Sequence, residues 1–569
     1  MNYSFPNRTK VLSFFILLFA LTLSAKLFLV QVVHSNSYSD RADRQYATPA
    51  SDIFERGTIY FTDKVGSLVS AASQTTGFKV ALDTAKLKDK ENTYKTLSAK
   101  IPLSREDFFA KANKTNDPYE EVATHITRIQ ADAISAEKIP GVSIYKEKWR
   151  FYPGGNLASH ALGFVGYKGD ELGGRYGLER QYDAVLSRDD EGAYVNFFAE
   201  VFSNINDTIF KGSERSGDVV TSIEPQVQGF LETKLSEVRT KYTVDSIGGI
   251  IMDPMTGEIY ALSAKPDYDP NNFSKIKNPS IFTDPLVENV FEFGSVVKPL
   301  VMAAGLDTGA VKADTKYTDR GSVIVEKKEI FNFDKKARGV VTMQDVLNQS
   351  LNTGMVYVYQ HLGKEKMRDY MLSYGIKEKT GIDLPNETSG LVANLNSPRE
   401  LEYANASFGQ GIALTPMEMV RALASLANGG NLVTPHIVKE IKYPDGTSKK
   451  FTYPTAPTKI SKQTSEEITR MLVTVMDKSL KGGLAKMEHY SIGVKTGTAQ
   501  VAKEGGGGYY EDRHTHSFFG YLPAYEPRFI VFLYAVNPKG VPYASQTWAD
   551  PFLDIAKFLL NYYEVPPDR

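Results

Sequence analysis

The chain has 569 residues, too many for one hydrophobic core, and a prior of about 150 residues per domain allows roughly two to four domains. A formal net charge of -1 at pH 7 with no basic run gives no electrostatic basis for nucleic-acid binding. The chain has no cysteine, which excludes disulfides, iron–sulfur clusters, thiolate zinc sites and a cysteine nucleophile.

The first predicted element is an apolar run over residues 11–33, which contains only a few polar residues. At about 1.5 Å per residue it is long enough to cross a bilayer, and no A-x-A cleavage pattern follows it. We therefore predict an uncleaved transmembrane anchor, with a buried core helix as the alternative. Arg8 and Lys10 precede the run and charges of both signs follow it, which predicts that residues 1–10 are cytoplasmic and the remainder lies outside the cytoplasm.

Residues 34–217 mix short strand-like runs with charged helical stretches. Strands are predicted near 58–62 and 77–83, and helices near 84–100 and 104–114. The segment contains no glycine-rich phosphate loop and no compact group of catalytic residue types, so it predicts an α+β scaffold domain.

Residues 218–569 predict a second α+β domain whose sheet is completed late in the chain. Two strand-like runs surround a turn at 253–257 and predict a hairpin, and Thr342 with Asp345 has the spacing of a helix capping box. Helices are predicted to fill the interval before the last strands. The predicted elements are strands at 246–252, 258–264, 490–500, 516–523 and 528–537 and a closing helix at 550–562.

One short stretch carries the chemistry of a nucleophile, because Ser295 and Lys298 stand three residues apart at a predicted helix start. That spacing places the hydroxyl and the amine on one helical face. Gly294 allows a sharp turn and Pro299 is tolerated in a first helical turn. The S-x-x-K spacing by itself proves little, because it recurs at Ser135, Ser143 and Ser274, where a solvated surface pair is the simpler interpretation.

Two further motifs follow Ser295 in order. Ser350-Leu351-Asn352 is the single S-x-N of the chain. K-T-G occurs twice, at 379–381 in a loop bounded by glycine and proline and at 495–497 as the continuation of an apolar run, so only the later copy is predicted to lie on a strand. The order S-x-x-K, S-x-N, K-T-G is the motif set of penicillin-binding proteins and class A β-lactamases.

More of the chain resembles class B penicillin-binding proteins, the membrane-anchored transpeptidases that cross-link peptidoglycan. Arg56-Gly57-Thr58-Ile59, Arg150 to Gly154 and Gly177-Leu178-Glu179 are similar to the motifs of their pedestal, and Phe408 to Gly411 resembles a stretch found throughout the family. The resemblance implies a dimerisation-type pedestal at 34–217. It also implies a transpeptidase domain at 218–569, with an antiparallel five-stranded sheet flanked by helices and an all-helical subdomain.

The residue types suggest roles at this site. Lys298, desolvated beside Lys495, is expected to have a lowered pKa and to act as the base toward Ser295. Ser350 can relay a proton to the leaving amine, and Asn352 can hold the peptide amide of the substrate.

Lys495 supplies a positive field, the hydroxyls of Thr496 and Thr498 can bind a terminal carboxylate, and Gly497 leaves room for a substrate strand. The resemblance implies that the amides of Ser295 and Thr498 form the oxyanion hole.

The expected reaction is acyl transfer from a D-Ala-D-Ala stem peptide through Ser295 to an acceptor amine, with β-lactams acylating the same serine. No cofactor is expected. No metal site is expected either, since His514 and His516, the only close histidine pair, are interpreted as partly exposed strand residues.

By resemblance, a SEDS-family glycan polymerase and other division proteins are the expected partners, and the bacterial cytoplasmic membrane is the expected location. A septal role is favoured over an elongation role. A D,D-carboxypeptidase or a β-lactam sensor would use the same motifs. The glycine run at 505–508, followed by Tyr509 and Tyr510, predicts either a mobile lip between two strands or a hairpin tip without function.

Overall fold

The computed structural model describes most of the chain that follows residue 54. The predicted transmembrane anchor at 11–33 lies outside the described residues except for residues 17 and 19, and the predicted cytoplasmic tail at 1–10 lies outside them entirely. Among the described residues, no helix is both long enough and apolar enough to cross a membrane. The described residues are 17, 19, 55–115, 117–168, 171–188, 215–503 and 507–569.

Strands are found in both halves of the described chain. In chain order they are β1 (Ile59–Thr62), β2 (Leu68–Leu82), β3 (Glu120–Ile126), β4 (Val142–Phe151), β5 (Val165–Lys168), β6 (Glu171–Gly174), β7 (Asp218–Thr221), β8 (Ser246–Met252), β9 (Ile259–Lys265), β10 (Lys316–Asp319), β11 (Ser322–Val325), β12 (Lys328–Phe331), β13 (Gly339–Thr342), β14 (Asn431–Leu432), β15 (Val438–Lys442), β16 (Ser448–Lys450), β17 (Ala456–Pro457), β18 (Gly493–Ala502), β19 (Tyr509–Leu522) and β20 (Phe529–Val536).

Helices are concentrated between β9 and β18. In chain order they are α1 (Lys90–Ser98), α2 (Arg105–Ala112), α3 (Arg128–Ser135), α4 (Ser159–Leu162), α5 (Gly177–Gln181), α6 (Asp183–Leu186), α7 (Pro225–Tyr242), α8 (Pro285–Glu288), α9 (Lys298–Asp307), α10 (Met343–Asn348), α11 (Asn352–Leu362), α12 (Lys364–Ser373), α13 (Glu400–Ala406), α14 (Pro416–Ala427), α15 (Lys462–Lys478) and α16 (Ala544–Tyr562). Short 3-10 turns occur at Pro270–Lys275, Pro279–Phe282, Gly294–Val296, Ala393–Asn396 and Leu480–Gly483.

The chain divides into two compact units, of which the first comprises residues 1–55 and 74–149 and the second residues 56–73 and 150–569. In the described part of the first unit, β3 pairs with the second half of β2, and β4 also pairs with β2. Helices α1 to α3 bury their apolar faces in a small core that contains Leu97 and Phe108. The predicted domain boundary between residues 217 and 218 stays a prediction.

In the second unit, three segments that the sequence links to the pedestal motifs meet at one buried carboxylate. Arg56 Nε donates to Glu179 Oε2 at 2.6 Å, and Arg150 Nε donates to Glu179 Oε1 at 2.6 Å. Arg150 also donates to the carbonyl of Gly57 at 2.7 Å, and the Tyr152 hydroxyl lies 3.2 Å from Glu179 Oε1. Burial alone would raise the pKa of Glu179, but attraction to the two guanidinium groups outweighs burial and lowers it.

The large sheet of the second unit is the predicted antiparallel five-stranded sheet, in the order β18-β19-β20-β8-β9. It is built from both ends of the domain, because β8 pairs with β20 while β9 and β18 form the two edges. Helices α7 and α16 pack against it, and the side chain of Trp548 in α16 is fully buried. The sheet therefore presents β18, which carries the later K-T-G, as an edge strand.

Several predicted boundaries need correction. Strand β19 begins at Tyr509 instead of residue 516. The prediction missed its first part because Glu511, Asp512 and Arg513 are consecutive, charged and exposed, and so lack the alternation that marks a half-buried strand. Helix α16 begins at Ala544 instead of residue 550 and contains Pro551 in its interior. The prediction began the helix too late because proline is most common in the first turn of a helix.

The prediction of an all-helical subdomain is wrong. Strands β10 to β13 lie between the first two motifs and form two antiparallel pairs, β10 with β13 and β11 with β12. The β11–β12 hairpin turns at Glu326 and Lys327, which have φ values of 44° and 68°. Two positive φ values are typical of a type I′ turn, but glycine or asparagine normally signals such a turn in a sequence, and both are missing here.

Candidate active site

The candidate nucleophile lies in a tight turn immediately before a helix. Gly294–Val296 form a 3-10 turn, and α9 begins at Lys298 with Pro299 in its first turn, so Ser295 precedes the helix that was predicted to start there. Gly294 has a φ of 62°, a conformation that favours glycine. Ser295 is partly exposed, and its hydroxyl makes no hydrogen bond with any described residue. It is therefore free to react with an incoming group.

Strand β18 passes directly against this turn at Gly497. A Cβ atom placed on Gly497 would lie 2.3 Å from the carbonyl oxygen of Phe293 and 3.0 Å from the amide nitrogen of Val296. No side chain fits at either distance, so glycine is required for the contact. This contact brings the later K-T-G beside Ser295, although the two lie about two hundred residues apart in the chain.

The S-x-N motif occupies the connection between α10 and α11. Helix α10 starts with the predicted capping box between Thr342 and Asp345. Ser350 follows the helix with a φ of 55°, and Asn352 begins α11. A positive φ in a residue with a side chain costs about 1 kcal/mol or more, and such strain is concentrated at functional sites.

Lys298 is fully buried and directs its amine at this motif. Its Nζ donates to the Ser350 carbonyl at 2.6 Å, to Asn352 Oδ1 at 2.8 Å and to Ser350 Oγ at 3.3 Å. A charged ammonium group could donate to all three acceptors, whereas a neutral amine has two protons and one lone pair and can donate to two of them. Burial, and then repulsion by Lys495, lowers the pKa of Lys298 well below its usual value. A neutral amine at this position can accept a proton.

Lys495 approaches the same serine from the strand side. It is 2% exposed, and its Nζ donates to Ser350 Oγ at 3.0 Å and to the Thr496 carbonyl at 2.9 Å. Burial lowers the pKa of Lys495 to about 7. Ser350 Oγ therefore accepts hydrogen bonds from both buried lysines and connects two groups that can exchange protons.

The two threonines of the K-T-G-T stretch are partly exposed on β18. The Thr498 hydroxyl accepts a hydrogen bond from the amide of Ala544, the first residue of α16, at 3.1 Å. Because its oxygen is used as an acceptor, its proton is available for donation to a ligand. Thr496 lies between Lys495 and Gly497 and has its side chain partly open to solvent.

Taken together, the predicted site residues meet in one region. Ser350, Asn352 and Lys495 form hydrogen bonds with Lys298 or with each other, and the turn of Ser295 contacts β18. The Ser295 amide lies in the first turn of its short helix, where amides lack an intrahelical acceptor and favour negative charge. The S-x-x-K, S-x-N and later K-T-G motifs are thus brought together in one region of the described chain.

Comparisons with known proteins assign this arrangement to a family. Residues 247–557 match the family model of the penicillin binding protein transpeptidase domain, and residues 53–220 match that of the penicillin-binding protein dimerisation domain. The chain belongs to the class B penicillin-binding transpeptidase family. It is 31% identical over 555 residues to stage V sporulation protein D of Bacillus subtilis, covering 95% of this chain and 83% of the relative.

Other similar proteins include a transpeptidase and a solved structure. The chain is 26% identical over 571 residues to peptidoglycan D,D-transpeptidase FtsI of Buchnera aphidicola, covering 97% of this chain and 94% of that protein. Its fold is similar to that of penicillin-binding protein 3 of Mycobacterium tuberculosis in complex with aztreonam, with a TM-score of 0.69 and 23% identity over 91% of this chain and 98% of the other.

The earlier K-T-G copy has the structural role that its sequence context predicts. It lies in a loop, where the Thr380 amide donates to Glu387 Oε1 at 2.6 Å and the Thr380 hydroxyl donates to the same oxygen at 2.5 Å. These hydrogen bonds brace the loop around the buried Glu387. Of the two copies, only the one on β18 lies beside the turn of Ser295.

Sequence reasoning missed Ser517 on β19. Its hydroxyl donates to the Phe293 carbonyl at 2.7 Å and, more weakly, to the Gly497 carbonyl at 3.4 Å, so it fastens the nucleophile's turn to the sheet. The sequence feature that could have marked Ser517 is that this small polar residue stands directly before an apolar run.

The interpretation of His516 as a partly exposed residue is wrong. His516 is fully buried because α16 covers this face of β19, and its Nδ1 lies 2.8 Å from the Thr547 hydroxyl of that helix. Burial, followed by the proximity of His514, lowers the pKa of His516 to about 4. Within the described ranges no group of His, Asp and Glu could hold a metal ion.

Proposed function

We propose that this chain cross-links peptidoglycan stem peptides through a serine acyl-enzyme on Ser295. The observation that carries the proposal is the position of Ser350 Oγ, which accepts hydrogen bonds from Lys298, three residues after Ser295 in sequence, and from Lys495. From this arrangement we propose that Lys298 is the base that takes the proton of Ser295 and that Ser350 passes a proton toward the leaving group.

The first half of the reaction transfers the acyl group to the enzyme. Neutral Lys298 takes the proton of Ser295, and the serine oxygen attacks the carbonyl carbon of the D-Ala-D-Ala bond. The developing oxyanion accepts hydrogen bonds from the amides of Ser295 and Thr498. Ser350 then passes a proton to the nitrogen of the terminal residue, the C–N bond breaks and D-alanine leaves.

The second half transfers the acyl group to an amine. The amine of a neighbouring stem peptide attacks the ester carbonyl and gives up a proton to neutral Lys298, the bond to the Ser295 oxygen breaks, and that oxygen takes this proton from Lys298. Before the first step, the donor's terminal carboxylate is held by the hydroxyls of Thr496 and Thr498 and by the charge of Lys495. Asn352 holds the donor's peptide amide.

Covalent labelling tests the acyl-enzyme directly. Fluorescent penicillin is expected to form a stable adduct with the natural protein and none with Ser295→Ala, because the adduct is an ester of this hydroxyl. Labelling that persists in Ser295→Ala would contradict the assignment. A labelled donor peptide should then give an amide product when an amine is supplied, whereas a product formed only with water would favour a D,D-carboxypeptidase or a β-lactam sensor.

For the cellular role we propose septal cell-wall synthesis at the cytoplasmic membrane, with residues 11–33 as the anchor and the catalytic domain outside the cytoplasm. A SEDS-family glycan polymerase and division proteins are the proposed partners. Support comes from the apolar run, the moderate length and the K-T-G-T stretch. A fluorescent fusion should gather at the division site, and signal along the side wall instead would favour the elongation-specific alternative.

A further inference from the structure

Asp319 is a buried carboxylate that the proposed reaction does not use. It is the last residue of β10 and is 1% exposed. Its Oδ1 accepts from the Thr353 hydroxyl at 2.8 Å, from Asn332 Nδ2 at 3.0 Å and from the amide of Gly321 at 3.1 Å. Its Oδ2 accepts from the amide of Arg338 at 2.9 Å. These four donors match the acceptor capacity of one carboxylate, which is about four hydrogen bonds.

Two of the donors connect Asp319 to the S-x-N motif. Asn332 follows β12, and its Oδ1 accepts from the amide of Thr353 at 3.2 Å. Thr353 stands directly after Asn352 in α11. Asp319 therefore binds the side chains of both residues, while Asn332 also binds the backbone of Thr353. The start of α11 is held in this way by the ends of β10 and β12.

The side-chain amide of Asn352 is bound at both ends. Its Nδ2 donates to the Phe331 carbonyl at 2.9 Å, and its Oδ1 accepts from Lys298 Nζ at 2.8 Å. A backbone carbonyl can only accept, so the contact with Phe331 determines which way round the amide lies. Phe331 directly precedes Asn332, and the hydrogen bonds around Asp319 therefore also position this carbonyl.

The orientation of Asn352 decides where neutral Lys298 can accept a proton. The Ser350 carbonyl, at 2.6 Å, and Asn352 Oδ1 can only accept, so they bind the two protons of a neutral amine. The third neighbour, Ser350 Oγ at 3.3 Å, belongs to a hydroxyl that can donate as well as accept. The lone pair is therefore left for a proton from a hydroxyl group. An Asn352 amide turned the other way would donate to this lone pair and block it.

We propose that Asp319 is a positioning residue for the base. Through its two side-chain partners it holds Asn352 in the orientation that leaves the lone pair of neutral Lys298 free. The inference rests on the proposed function, in which Lys298 takes the proton of Ser295, and it adds the group that orients this base. Because Asp319 is buried, it acts through its neighbours and not by contact with the substrate.

Acylation kinetics of the full-length protein in detergent test this role. The dependence of the labelling rate on the concentration of fluorescent penicillin separates the first-order acylation constant from the dissociation constant of the non-covalent complex. Titration of the labelled sites counts the active molecules. Partial unfolding lowers this count but leaves the acylation constant of the remaining molecules unchanged.

Asp319→Asn should lower the acylation constant about tenfold per titrated site. An amide at this position cannot accept from all four donors, so the start of α11 is released and the Asn352 amide can turn. The dissociation constant should change by less than about threefold, because the proton transfer depends on the lone pair of Lys298 and the binding of penicillin does not.

Two substitutions of Thr353 separate the hydrogen bond from the packing, and they test the inference even if Asp319→Asn does not fold. Thr353→Ser keeps the hydroxyl that donates to Asp319, and its acylation constant should stay within about threefold of that of the natural protein. Thr353→Val has nearly the same shape without the hydroxyl, and its acylation constant should fall about tenfold.

Asp307→Asn is the matched control. Asp307 is the last residue of α9, at the end opposite to Lys298, and its Oδ1 accepts from the Thr464 hydroxyl at 2.6 Å and from the amide of Ser461 at 2.8 Å. The substitution disturbs a similar set of hydrogen bonds in the same domain. It should lower the free energy of unfolding and leave the acylation constant unchanged.

An unchanged acylation constant in Asp319→Asn, or equal constants in Thr353→Ser and Thr353→Val, would overturn the inference and leave the proposed function intact. A fall in Asp307→Asn as large as that in Asp319→Asn would do the same, because it would show a general effect of destabilisation. Labelling of the natural protein that persists in Ser295→Ala would overturn the proposed function, and the inference with it.

Discussion

Replacing Lys495 by methionine is expected to stabilise the fold at neutral pH while it removes a charge from the active site. The ammonium group of Lys495 is 2% exposed, and burial lowers its pKa from 10.5 to about 7. Each unit of pKa difference between the folded and the unfolded chain corresponds to about 1.4 kcal/mol. The lowered pKa of Lys495 therefore destabilises the folded protein by about 5 kcal/mol at pH values low enough that Lys495 is protonated in both states. Methionine has a similar length and no charge to bury.

The pH dependence follows from proton linkage. Between about pH 7 and 10.5 the unfolded chain keeps a proton on Lys495 that the folded chain releases. The free energy of unfolding of the natural protein therefore falls as pH is lowered through this window. The substitution also removes hydrogen bonds to Ser350 and Thr496, which together contribute about 2 kcal/mol. The variant should gain about 3 kcal/mol near pH 6 and lose this advantage as pH approaches 10.

Urea denaturation followed by tryptophan fluorescence measures this difference. The chain has two tryptophans, and Trp548 is fully buried in the catalytic domain, so a Trp149→Phe background reports on that domain alone. Lys462→Met is the control, because the Lys462 side chain is 83% exposed and its removal should give no pH-dependent change. The reasoning is refuted if Lys495→Met is less stable than the natural protein at pH 6, or if the difference between them does not vary with pH.

Three further predictions concern the base, the close approach and the buried ion pairs. Lys298→Met should slow acylation by fluorescent penicillin about 100- to 10,000-fold, because the proposed base is lost. An acylation rate within tenfold of that of the natural protein would mean that another group is the base. Gly497→Ala should slow the same reaction about 100-fold, because a Cβ atom 2.3 Å from the Phe293 carbonyl oxygen must displace the turn that carries Ser295. A crystal structure of the variant in which this turn has not moved would contradict the reasoning. Glu179→Gln should lower the free energy of unfolding by about 3 to 5 kcal/mol in urea titrations, because two buried guanidinium groups lose their shared counter-ion. Glu91→Gln, at an exposed arginine pair, should change it little, and equal effects would contradict the importance of burial.

The sequence by itself indicated the general architecture and the motifs that the fold brings together. Ser295, Ser350 and Lys495 were selected by motif order, and the two K-T-G copies were separated by whether an apolar run precedes them. The hairpin of β8 and β9 and the capping box at Thr342 were also predicted correctly. These features depend on residues close together in the chain, where side-chain spacing and local hydrogen bonding act directly.

The tertiary structure decided what depends on distant segments. Glu179 meets Arg56 from 123 residues away and Arg150 from 29 residues away. His516 is buried because α16 covers it, and Glu292 meets Tyr509 from 217 residues away. No local pattern encodes such meetings, because they arise when whole helices and strands pack. The lowered pKa values of Lys298 and Lys495 likewise follow from burial, and for Lys298 also from the nearness of Lys495. Neither effect exists until the domain has closed around the two lysines.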